Sequence, residues 1–231
     1  MASPAVLRNH LESALGGRFA AQLGWRERPA PELVSTGIPA LDALAGGLPR
    51  GSIAEIHGPA SSGRASLLAS ALTAAMHRQE VCAVIDASDA FDPASAAVAG
   101  VDLSRLLWVR CGGHAGHALK AADLLIQGGG FGLLALDLAD VPARVTRHIP
   151  LAAWFRMRRA IEDTPTVMLV IERERTLKSC ASLILEMRRE AVTWSGAAGC
   201  SRLLGGARMR AELARRPAAA ERAVFDVRAV G

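Results

Sequence analysis

Apolar positions along the chain follow two rhythms that exchange near residue 35. Before it, Leu7, Leu11, Ala14 and Leu15 recur at helical spacing behind Ser3, an N-cap type, and Pro4, which predicts a helix over 4–23. The stretch "GWRERPAPELVSTG" breaks the period with prolines and charges and reads as a linker. After it, apolar runs of strand length alternate with helical segments, the pattern of an α/β fold: a mostly parallel twisted sheet flanked by helices. "SIAEIHG" (52–58) predicts a strand that ends in a Gly-rich loop, and 66–78 the helix behind it. "VCAVIDA" (81–87) and "LLWVRC" (106–111) predict the next strands, 117–127 a helix, and "FGLLALDLAD" (131–140) a buried strand closing on Asp137. A helix over 148–162 precedes the strand "TVMLVIER" (166–173), and the tail offers "SLILEMRREAVTW" and "RAVFDVRAV" as antiparallel edge strands.

Composition supports a single full-size core: 231 residues with 51% hydrophobic side chains. The N-terminus lacks a basic then apolar leader, and no apolar run approaches the roughly 18 residues of a membrane span, so a cytoplasmic protein without membrane attachment is expected. Cys82, Cys111, Cys180 and Cys200 form no CxxC pair and suit reduced thiols. "CGGHAGH" offers Cys111, His114 and His117 at ligand-like spacing, but no fourth ligand follows, and a solvent-facing loop is the preferred reading over a metal site.

The net charge of +5 arises entirely after residue 171, where 12 basic side chains face 7 acidic ones. Arg188, Arg189, Arg202, Arg208 and Arg210, with Arg215 and Arg216, are candidates for a surface that tracks a DNA backbone. The competing reading is a solvated strand face, because Trp194 is the only large aromatic nearby on which a base would stack.

The stretch "GPASSGRAS", Gly58 to Ser66, keeps the glycine frame of a phosphate-binding loop between a strand and a helix. In a working loop, backbone N–H groups curl round a phosphate, a lysine reaches the outer oxygens and a hydroxyl binds Mg²⁺. Backbone anion binding is expected to survive over the loop Gly58, Pro59, Ser61, Ser62 and Gly63, in which Pro59 has no N–H to donate, helped by the positive end of the next helix. The lysine place is held by Arg64, whose planar guanidinium is larger than an ammonium, and the hydroxyl place by Ala65, which binds no metal. Ser66 brings a hydroxyl one residue later, turned about 100° round the helix. Metal-assisted phosphoryl transfer is therefore not expected, and no catalytic residue is assigned. ATP, ADP or another anion without Mg²⁺ remains open as a ligand. Asp86, Asp89 and Asp92, at the end of the strand 81–87 and just after it, are the carboxylates available where a hydrolytic site would need one. Asp137 stands where a carboxylate holds a metal's water shell or simply caps a strand end. Asp92 and Asp137 are the acidic members of this candidate nucleotide site.

Three lines, "VSTGIPALDALAGGLPRGSIAEIHGPASSG", "CAVIDASDAFDP" and "GVDLSRLLWVR", together with the strand through Asp137, resemble the RecA recombinase family. The resemblance implies a RecA-like core over 35–231 and an N-terminal arm and linker over 1–34 through which such subunits touch neighbours; as a departure from the family, no separate C-terminal domain is expected. Where that family has a catalytic glutamate this chain has Ser88, its nucleotide-coupling glutamine aligns with Arg173, and its DNA-binding loop is almost absent from "ERERTLKSCASLILEM". An eroded core with this tail is similar to the ImuA family of bacterial mutagenesis cassettes. That resemblance implies an adaptor in damage-induced (SOS) translesion synthesis, with a RecA-type recombinase and an inactive Y-family polymerase relative as partners. A nucleotide-binding switch without hydrolysis, and an active DNA-dependent ATPase, are the alternatives.

Overall fold

A computed structural model describes residues 30–196, 202–214 and 222–228; the expected arm, Cys200, Arg215 and Arg216 lie outside the described residues. The chain enters through β1 (Leu33–Val34), which pairs antiparallel with β2 (Leu48–Pro49) on either side of α1 (Pro39–Ala45). The Ser-Thr-Gly and Leu-Asp elements of the sequence are one hydrogen-bonded turn. Asp42 accepts the Thr36 N–H at 2.8 Å and the Thr36 hydroxyl at 2.7 Å, and Ser35 donates to its second oxygen at 2.5 Å. A buried donor pair is thus satisfied by one carboxylate, which fixes where α1 starts.

The body continues β3 (Ser52–His57), α2 (Arg64–His77), β4 (Cys82–Asp86), α3 (Pro93–Val98), β5 (Leu106–Arg110), α4 (Ala115–Gly128), β6 (Leu133–Asp137), α5 (Ala143–Thr146), α6 (Leu151–Ile161), β7 (Val167–Glu172), β8 (Leu183–Ser195), β9 (Leu203–Leu213) and β10 (Arg222–Arg228). Strands β3 to β10 build one sheet in the order β10-β9-β8-β3-β7-β6-β4-β5. It is the expected mostly parallel sheet flanked by helices, with antiparallel strands at its C-terminal side. Its parallel strands are continuous apolar runs because both faces are covered. On one face Ile56, Val84, Leu169 and Leu185 pack against Leu67, Leu68 and Leu72 of α2. On the other, Ile53, Ile85, Leu136 and Val170 pack against Ala118 and Ile126 of α4 and Trp154, Met157 and Ile161 of α6. No helix of the described residues is long and apolar enough to cross a membrane.

Two expectations need correction. "SLILEMRREAVTW" is not an edge strand: Leu183 to Glu186 pair in parallel with Ala54 to His57, and the rest of β8 pairs antiparallel with β9. The sequence reading passed over β9 because only Met209 and Ala211 of its outer half are buried, between the polar positions Arg208, Arg210 and Glu212. The helix after the Gly-rich loop also starts earlier than expected, at Arg64 instead of Ser66.

Candidate functional site

The loop at the carboxyl end of β3 is pinned from both sides. The Gly58 N–H donates to the Glu172 carbonyl at 3.3 Å on β7. A Cβ at Gly58 would lie 2.2 Å from the Met187 carbonyl oxygen on β8 and 2.8 Å from the Ser62 hydroxyl. Only glycine lets the loop pass this close to β8. Gly58→Ala is expected to lower stability by about 2 kcal/mol through overpacking, read as a shifted urea midpoint; an unchanged midpoint would show that β8 yields freely.

The chain then turns through left-handed conformations at Ser61 (φ 57°) and Gly63 (φ 89°) into α2. The first helical bond runs from the Leu67 N–H to the Gly63 carbonyl at 3.0 Å. The N–H groups of Arg64, Ala65 and Ser66 therefore have no acceptor within the helix and face the loop mouth with the positive end of the helix dipole. Ser62, 1% exposed, has a hydroxyl with no hydrogen-bond partner.

Arg64 lines the loop cavity and is tied to the sheet beside it. Its guanidinium is buried, and Nη1 donates to the Glu172 carbonyl at 2.8 Å. Burial pushes its pKa below the ordinary arginine value, opposed by the charges of Asp137 and Asp140. Asp137 accepts the Ala139 N–H at 2.9 Å. Burial, with Asp86 and Asp140 nearby, pushes its pKa up to about 6 against the pull of that N–H and of Arg64. The loop opens into a cavity of about 450 Å³ whose other wall is the inner face of the β8–β9 hairpin, including Arg189, Trp194 and Met209. A larger groove of about 1090 Å³ adjoins it across α2, sharing Ala65, Ser66 and Asp137.

The structure brings together Ser61, Ser62, Gly63, Arg64, Ala65, Ser66 and Asp137 around the cavity, with Gly58 beneath the loop. Pro59 is exposed and lines neither space. Asp92 lines the larger groove and is the N-cap of α3, accepting N–H bonds from Ala94 at 3.1 Å and Ser95 at 3.2 Å. Asp86 is buried and accepts from the backbone N–H groups of Ser88, Ala90 and Phe91 and from Trp108 Nε1. Asp89 pairs with Arg110 at 3.1 Å. None of these three carboxylates is directed at the loop cavity.

The arginine set divides by face. Arg188 pairs with Glu186 at 2.5 Å, Arg208 with Asp226 at 3.0 Å, and Arg210 with Glu190 at 3.6 Å and Glu212 at 3.2 Å, so three of the five expected DNA contacts are occupied by carboxylates. Arg189 lines the loop cavity instead, and Arg202 is exposed ahead of β9. Among the described residues no group of three or more His, Cys, Asp or Glu is placed to hold a metal ion; Cys111 is buried, and the His114 and His117 rings lie 4.9 Å apart.

Sequence reasoning missed a buried cluster beside the loop. Glu55 and Glu172 are both fully enclosed, and each keeps one carboxyl oxygen unpartnered, as does His57 at Nε2. Glu55 accepts the N–H groups of Thr176 at 2.7 Å and Leu177 at 3.3 Å, while the Thr176 hydroxyl donates to Glu172. The signal was present: a glutamate inside each of the apolar runs "SIAEIH" and "TVMLVIER".

A Gly-framed loop joining a central parallel strand to a helix, set at the carboxyl end of a doubly covered sheet, defines a phosphate-loop protein of the α/β class. The RecA N-terminal domain matches residues 5–148, and the chain belongs to that family. It is 36% identical over 200 residues to protein RecA of Leifsonia xyli subsp. xyli, covering 76% of this chain and 55% of that protein. The protein RecA of Rhodospirillum centenum is 41% identical over 140 residues (59% and 38%), and that of Acinetobacter baylyi 38% over 131 residues (56% and 37%). The chain thus spans between 37% and 55% of the length of these relatives.

Proposed function

We propose that this chain is a RecA-like accessory protein of the cytoplasm that does not hydrolyse ATP and works by contact. Its proposed partners, a RecA-type recombinase and an inactive Y-family polymerase relative, place it in damage-induced translesion synthesis. The observation that carries the non-hydrolysing part is Arg64: its guanidinium is buried on the Glu172 carbonyl, so the loop has no cation free to reach outer phosphate oxygens. Ala65 offers no metal ligand, and Ser88 stands where the family's glutamate would direct water. The partners rest on the ImuA-like tail and eroded loop. The arm over 1–34 is the proposed element of self-association, and 35–231 the contact body.

A second reading, nucleotide binding without turnover, is favoured by the unfilled helical N–H groups at the mouth of the 450 Å³ cavity. Both readings expect no ATP turnover above background with single-stranded DNA, in the wild type and in Arg64→Lys/Ala65→Thr alike, because restoring two loop residues leaves Ser88 in place. Turnover by the wild type would overturn both. Pull-down with the cognate recombinase and polymerase relative tests the contact itself: capture of either is expected, and failure with both would overturn the adaptor reading.

A further inference from the structure

The sheet face that packs under α4 and α6 carries a polar cluster inside an apolar core. Parallel register sets His57 of β3 opposite Glu172 of β7 on one side and Glu186 of β8 on the other, with Glu55 two residues earlier on the same face as Ile53 and Val170. Diagonal neighbours on adjacent strands lie on the order of 7–8 Å apart, within reach of two glutamate side chains. Thr176 joins the pair: its N–H donates to Glu55 at 2.7 Å and its hydroxyl donates to Glu172. The segment between β7 and β8 is held here, and its Leu177, Cys180 and Ala181 complete the same core. Glu55 is 0% and Glu172 1% exposed, and each keeps one carboxyl oxygen without a donor. Among the described residues neither carboxyl has an ion-pair partner, so two buried acceptors face each other with nothing to neutralise both.

The surrounding charges do not fill that role. Arg175 acts on Glu55 and His57 only through space, Arg188 is paired with Glu186 at 2.5 Å, and Arg158 of α6 donates to the Ser179 carbonyl at 3.2 Å. The buried face of α4 is apolar. Burial holds His57 below its ordinary pKa, so its ring is neutral where a raised carboxyl titrates. The cluster also reaches the Gly-rich loop, because the Glu172 carbonyl accepts the Gly58 N–H at 3.3 Å and Arg64 Nη1 at 2.8 Å.

We propose that Glu55 and Glu172 share a single proton, and that this proton is a pH-operated latch. Bound, it clamps the segment after β7 and with it the seat of Arg64. Released to solvent, it leaves two carboxylates side by side and frees both. The loop is then tuned from the face of the sheet opposite α2.

The test is hydrogen exchange of the full chain from about pH 5.5 to about pH 9.5, corrected for the intrinsic base-catalysed rate and read at single amides by NMR. Protection of the Thr176 and Leu177 N–H groups, both donated to Glu55, is expected to fall by up to about tenfold per pH unit and to level off near the Glu172 value of about 8. The Gly58 N–H is expected to follow over the same range. Glu172→Gln is expected to abolish the fall above about pH 7, and Glu55→Gln to move the levelling point down by about one unit or more, because the two sites titrate as one. An unmoved levelling point in Glu55→Gln would overturn the shared proton, and unchanged Gly58 protection would overturn the link to the loop. The wild type alone supplies a further check: the infrared band of a protonated carboxyl is expected at about pH 7 and is expected to be lost by about pH 9.5. Its absence at both would overturn the proposal even if neither variant folds.

Discussion

In urea unfolding followed from about pH 5 to about pH 9, Glu172→Gln is expected to gain stability over the wild type as pH rises, by on the order of 4 kcal/mol at the alkaline end. Burial pushes the Glu172 carboxyl up to about 8; the nearby Glu55 charge adds to this, and hydrogen bonds from Thr176 oppose it. A folded-state pKa above the unfolded one means that the native state binds the extra proton. The stabilising contribution is complete below the unfolded value of 4.5 and is lost as pH rises through about 8. Glu55 shifts in the same direction, also through burial, and steepens the loss. Glutamine carries no charge at any pH and keeps an acceptor for the Thr176 hydroxyl, so the difference between the two curves isolates the Glu172 proton. Parallel curves would show that Glu172 folds ionised. The consequence reaches the loop, because the Glu172 carbonyl holds Arg64 and Gly58 while its carboxyl holds the segment after β7.

The parallel strands were legible because burial on both faces turns each into an unbroken apolar run, as in "CAVID" and "LLALD". The loop was legible from its glycines, since Gly58 and Gly63 mark a close approach and a left-handed turn that other residues resist. Where Arg64 points was not legible. Its acceptor is a carbonyl 108 residues away, and a backbone carbonyl leaves no trace in side-chain identity. The cavity wall was hidden for a similar reason: Trp194 and the loop line one cavity from distant parts of the chain, and β9, which pairs with β8, carries no unbroken apolar run. The charge excess at the C-terminus was visible as a sum, whereas the pairing of Arg188, Arg208 and Arg210 with nearby carboxylates depends on strand register.

Asp86→Ala is expected to destabilise the fold by about 4 kcal/mol, the largest loss among the carboxylates Asp86, Asp89 and Asp92 at the end of β4 and after it. Asp86 is wholly buried, and its two oxygens collect the N–H groups of Ser88 at 3.2 Å, Ala90 at 3.0 Å and Phe91 at 2.9 Å with Trp108 Nε1 at 3.3 Å. Truncation removes four part-buried bonds at once, and each donor that water does not fully reach adds a desolvation cost to the lost bond. Asp86→Asn matches the shape but turns an amide toward N–H donors, and is expected to lose about half as much. Asp89→Ala, which breaks only the exposed pair with Arg110, is expected to lose less than about 1 kcal/mol. Urea midpoints order the three variants, and Trp108 emission reports the loop directly, since its ring also packs on Phe91 at 5.6 Å. Equal losses for Asp86→Ala and Asp89→Ala would overturn the assignment. The same four bonds bear on chemistry: a carboxylate whose two oxygens each already accept two protein donors is committed to holding the turn after β4.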